Sequence, residues 1–223
     1  MNTSKIVLFV LGLALAYSGN AQQANPYSMQ ENNKQEYEQA VRESLGTLRG
    51  MINADNAQAM GFRSDKEVGQ VSAGIPIPIV MIQLDELRSY QQGNNVRPLF
   101  KYYQQQLLPL SVGNEVRSSI TLERKDQGLS AVSYGSPGLA RALNNVREQA
   151  AKQKAIPLAR FYAVHVAALR QYFIAYDDTA GKVMFVPVLD NKELDLQAGR
   201  ELRAEDALAR LKTAAQGYND LPI

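Results

Sequence analysis

The chain has no cysteine, no tryptophan and a single histidine, His165, among its 223 residues. Without cysteine there is no thiolate nucleophile, disulfide framework or iron–sulfur site, and one imidazole excludes a zinc site built from several histidines. Phosphate-cradling glycine patterns are missing too: neither G-x-x-x-x-G-K-[S/T] nor G-x-G-x-x-G opens a helix after a strand. What remains is the chemistry of carboxylates, hydroxyls, lysine, arginine and tyrosine, or no chemistry at all. The composition implies no cofactor and no metal.

Long apolar runs are also scarce. Residues 6–16 form an eleven-residue run, short of the roughly 20 residues that cross a bilayer. Lys5 precedes it, and Gly19 and Ala21 follow, which is the pattern of a secretory signal peptide over residues 1–21 with a cut before Gln22. The expectation is a periplasmic or secreted protein with no transmembrane span in its mature form. No cysteine follows the run to take a lipid.

Net charge singles out no partner, because residues 22–223 carry 23 basic and 22 acidic side chains. The distribution is uneven. Residues 97–176 hold 11 basic and 4 acidic side chains, whereas 22–96 and 177–223 each hold 6 basic and 9 acidic. Mutual neutralisation within the folded chain accounts for this. An exposed basic face toward an anionic envelope component is the alternative. The basic residues are not interleaved with aromatics, which argues against nucleic acid.

A 45% apolar and 21% charged composition fits one globular domain or two small ones. Residues 22–33 are polar and aperiodic and read as a flexible leader. From about Glu31 to Met60, Tyr37, Val41, Leu45, Leu48 and Ile52 recur at spacings of three and four, the stripe of an amphipathic helix. Extended, β-branched segments then alternate with turn residues: Gly113-Asn114 between residues 104–112 and 115–125, Gly128 before 129–134, and Thr179-Ala180-Gly181 between 171–178 and 182–190. Two helical patterns follow, after Ser136-Pro137 and from about Arg203.

The expected fold class is α+β: antiparallel sheet built from hairpins, with helices on its faces, after an N-terminal amphipathic helix. Residues 34–223 read as one α+β region, with two βββα units at 69–152 and 156–223 as its candidate sub-units. Residues 171–178 and 182–190 are apolar on both faces, which requires cover on both sides.

Six of the nine prolines sit between apolar residues, and five of these fall within or beside the extended segments: Pro76, Pro78, Pro109, Pro157 and Pro187. Proline removes a ladder donor, so these positions are expected at edges, strand starts or bulges. There they either block unwanted pairing or delimit where an extended partner adds as a strand. Pro78, Pro109 and Pro187 are therefore candidate binding positions.

His165 lies in the apolar run 161–168, and no motif supplies an orienting acid or a nucleophile beside it. Ser136 stands between a strand and a helix, but Tyr134 occupies the first glycine position of a nucleophile elbow, and a helix N-cap explains Ser136 equally well. Asp177-Asp178 and Asp190, Glu193 and Asp195 lack calcium-loop spacing and read as solvated turn acids. The sequence therefore points to an exported, non-enzymatic interaction module of a bacterial-type envelope that contacts a protein, a peptide or an envelope component through positions such as Ser136 and His165. The alternative is a metal-independent hydrolase of envelope or extracellular polymers, using carboxylates or Ser136 with His165.

Overall fold

The computed structural model describes residues 25–28 and 34–217. The expected signal peptide lies outside the described residues. The architecture is mixed α+β around a nine-stranded, mostly antiparallel sheet. Helix α1 (Lys34–Met51) comes first, then strands β1 (Ser72–Ala73) and β2 (Ile77–Met81), the short helix α2 (Leu84–Ser89), and strands β3 (Lys101–Val112), β4 (Glu115–Lys125) and β5 (Gly128–Tyr134). Helix α3 (Pro137–Lys154) leads to β6 (Tyr162–Val166), β7 (Gln171–Asp177), β8 (Val183–Pro187), β9 (Leu202–Arg203) and α4 (Ala204–Gly217).

The strand order is β5-β4-β3-β2-β6-β7-β8-β9, with β1 on β3 as well. The β2–β6 pair at the centre is parallel, and the named strands on either side of it pair antiparallel in chain order. The sheet therefore ends at β5 and β9.

Side-chain alternation assigns the two faces. On one, Val80, Val164, Phe173 and Phe185 pack under α2 and α4. Leu108, Leu110, Ile120 and Leu122 pack under α1 on that same face, and Tyr102 bridges the two groups. The opposite face carries α3 over Ile77, Leu107, Ala163 and Ile174. Three helices thus lie on one face and one on the other. The two-sided apolarity of β7 and β8 is covered by the chain's own elements.

Within the stretch read as a flexible leader, Asn25 is 6% exposed, donates its amide to the carbonyls of Ala159 and Phe161, each at 3.1 Å, and receives Tyr27 N–H at 3.0 Å. Buried carbonyls at the entrance to β6 need a donor, and this side chain supplies it. Pro78 and Pro109 take the bulge option among the positions expected for these prolines. Pro78 is in β2 at the sheet centre and Pro109 is in interior β3, each within two residues of a register shift, and Pro187 is the last residue of β8. The lost donor is absorbed at irregularities inside the sheet, not at its rim.

Candidate functional site

The residues singled out in the sequence do not converge. Ser136 follows β5 and His165 is in β6, four strand spacings apart, or about 19 Å across the sheet. That separation excludes a Ser136–His165 hydrogen bond. Ser136 holds the N-cap position of α3, but its backbone is left-handed (φ 57°) and its side chain makes no capping bond. Capping serines normally have extended backbone, which aims the hydroxyl at the first-turn amides.

His165 is half-buried and stacks flat on Tyr172, with ring centroids 4.0 Å apart. Burial pushes its pKa down. A folded-state value below the unfolded 6.5 means the unfolded chain binds the proton more readily, so stability is intact above about 6.5 and falls as the pH drops through the folded value. Thermal melts between pH 7.5 and 5.0 are expected to show the wild type losing more stability than His165→Phe over that interval. Parallel profiles would refute this.

The acidic residues serve the backbone and the arginines. Asp178 accepts from Ala180 and Lys182 N–H at 2.9 and 2.8 Å, and Asp190 accepts from Ala198 N–H at 2.8 Å. Asp177 lies 2.7 Å from Arg97. The basic middle is tied to both acidic flanks in this way: Lys101 to Glu86, Arg117 to Glu67, Arg124 to Glu36 and Lys154 to Glu201. Five of the eleven basic side chains of residues 97–176, Arg97 included, are paired with an acid of a flank in this way. Among the described residues no three of His, Asp and Glu assemble as a metal site, and no helix is long and apolar enough to cross a membrane.

A cleft of about 500 Å³ lies where proline and glycine interrupt the first extended segment. Tyr37, Glu38, Val41 and Arg42 of α1 form one wall, and residues 73–76 form the other. β1 pairs only with β3, through Ser72↔Ser111 and Ala73↔Leu110, and Gly74 N–H continues to Pro109 O at 2.8 Å. Pro76 has no donor, and the carbonyls of Ile75 and Pro76 accept from Arg147 of α3 at 2.9 and 3.1 Å. Residues 72–75 are exposed, with Ile75 at 42%. The result is a short free strand edge beside an amphipathic helix, an arrangement that suits addition of an extended segment.

Sequence reasoning found the Ile75-Pro76-Ile77-Pro78-Ile79 motif but not its α1 wall. Tyr37 and Val41 carry no signal apart from the core stripe, and only the chain path brings them to residues 73–76. Comparison with known protein families, curated proteins and solved structures finds no match to this chain.

Proposed function

We propose that the chain is a non-enzymatic binding module exported across a bacterial-type inner membrane, periplasmic or secreted after removal of residues 1–21. Its partner is a protein that offers an extended, apolar segment to the cleft between α1 and β1. The two βββα units, 69–152 and 156–223, serve as the frame that holds this cleft. The observation that carries the proposal is the 500 Å³ cleft bordered by the unpaired β1 edge.

Strand addition draws affinity from backbone pairing and specificity from alternate side chains. Ala73, whose N–H and C=O face away from β3, offers the pairing, Pro76 ends it, and Val41 and Ile75 offer apolar contact. Selection from a displayed library of seven-residue peptides is expected to enrich alternating apolar sequences. Ile75→Asp, at an exposed position, is expected to weaken the selected peptide at least tenfold, about 1.4 kcal/mol, with little change in melting temperature. Val132→Asp on the β5 edge, at a position that does not line the cleft, is expected to leave affinity unchanged. Equal binding by wild type and Ile75→Asp would overturn the assignment, and loss only with Val132→Asp would move the site to β5.

A further inference from the structure

A second groove is already filled by the chain itself. Asn25, Pro26 and Tyr27 precede α1 in sequence, yet they dock against β3 and β6. Tyr27 packs its ring against Tyr102 and Tyr162, at centroid distances of 5.3 and 5.0 Å. Asn25 holds the carbonyls of Ala159 and Phe161 through its side chain. Pro26 between them is exposed. The segment is thus held by two side chains spaced two apart, without a backbone ladder.

Polar atoms without a partner gather on the sheet face at and beside the tyrosines that hold this segment. Gln106 is 0% exposed and neither its amide nitrogen nor its oxygen has a partner. The hydroxyls of Tyr102 and Tyr162 are also buried and unpaired. Gln106 stands opposite Pro78, and the Ile79↔Ala163 register places Tyr162 on the other side of Pro78, so the three lie in one cross-strand row. Buried polar groups are nearly always satisfied, so four unpaired atoms beside a docked segment mark a site whose occupant in cis leaves hydrogen bonds unmade.

We propose that this groove is a recognition site for an Asn-x-aromatic segment of a partner protein, and that Asn25-Pro26-Tyr27 occupies it in cis until such a segment displaces it. The two carbonyls require a donor, which asparagine offers and aspartate does not. The Tyr102–Tyr162 pair accepts an aromatic ring two residues later. A partner that also pairs with Gln106 or with either hydroxyl gains bonds the resident segment lacks. Only residues 28–33 separate the resident from α1, so it competes as a tethered ligand. Displacement therefore needs a better ligand or a weakened resident.

The groove is distinct from the α1–β1 cleft, and Ile75→Asp is expected to leave its occupancy untouched. The probe is a fluorescein-labelled peptide copying residues 23–30, titrated by anisotropy against the full chain. Asn25→Ala/Tyr27→Ala is expected to bind it at least tenfold more tightly than wild type, and the peptide with Asp in place of its asparagine is expected not to bind. Equal affinity for wild type and the double variant, or for both peptides, would overturn the proposal. Hydrogen exchange on the unsubstituted chain decides independently of the variant's folding. With millimolar unlabelled peptide, the Tyr27 amide is expected to lose protection, and unchanged protection would overturn the proposal.

Discussion

Gly61→Ala is expected to destabilise the chain by about 3 kcal/mol, while the same exchange at Gly46 stabilises it by about 0.5–1 kcal/mol. Gly61 has φ +94°, and a Cβ there would fall onto the Arg117 carbonyl of β4 and crowd Pro137 at the start of α3. A left-handed backbone costs an L-residue roughly 1–2 kcal/mol, and pushing a methyl into close-packed backbone adds about 1–3. Relief would require residues 57–62 to lift from the sheet, and Phe62, 2% exposed, would leave its core. Gly46 lies within α1 with nothing near its Cβ position, so alanine there gains helix propensity without a clash. Thermal melts are expected to fall by about 6–12 °C for Gly61→Ala and to rise slightly for Gly46→Ala. A neutral result at Gly61 would mean that the 57–62 turn is not held against β4 and α3.

That contrast shows what the sequence can and cannot convey. The two glycines look alike in a one-dimensional pattern, and their difference lies in a carbonyl 56 residues further along. The class was legible, because apolar alternation and turn residues register locally and predict an antiparallel sheet with helices. The parallel β2–β6 pair at the centre was not. It joins strands more than 80 residues apart and leaves no local periodicity. Which of edge, strand start or bulge each proline would take was not legible for the same reason. Their missing donors are visible in sequence, whereas the bulges that absorb them arise from pairing with partners elsewhere.

The sites follow this division. The apolar-Pro motif at residues 75–79 was visible, but its role as one wall of a cleft depends on where α1 lands. Asn25 and Tyr27 looked like polar leader, since a single asparagine and tyrosine in an aperiodic stretch have no amphipathic signature. Their contacts lie more than 70 residues away, at Tyr102, Ala159, Phe161 and Tyr162. Ser136 and His165 were conspicuous by rarity and by neighbouring residues, features that do not bring side chains together across four strands.

Arg147→Ala is expected to cost about 3–5 kcal/mol and to weaken peptide binding in the α1–β1 cleft at the same time. Arg147 is 1% exposed on α3 and has no ion pair with a carboxylate; its guanidinium donates to Ile75 O, Pro76 O and Asn144 Oδ1. Desolvation pulls its pKa down to about 10, which still leaves it charged at neutral pH. A buried charge held mainly by neutral oxygens is costly, and the fold retains it because two carbonyls of a proline-interrupted strand have no ladder partner. Alanine removes the donor, orphans both carbonyls and opens a cavity beside Pro76. Met, of similar length, refills the volume but leaves the carbonyls bare, so Arg147→Met should recover part of the stability and none of the cleft geometry. The measurement is a denaturant melt for each variant, paired with titration of the library-selected peptide. The expected order of stability is wild type, Met, Ala, with both variants binding at least tenfold more weakly than wild type. If Arg147→Met bound the peptide as wild type does, residues 73–76 would hold their course without the guanidinium, and the link from α3 through the sheet to the cleft would be broken.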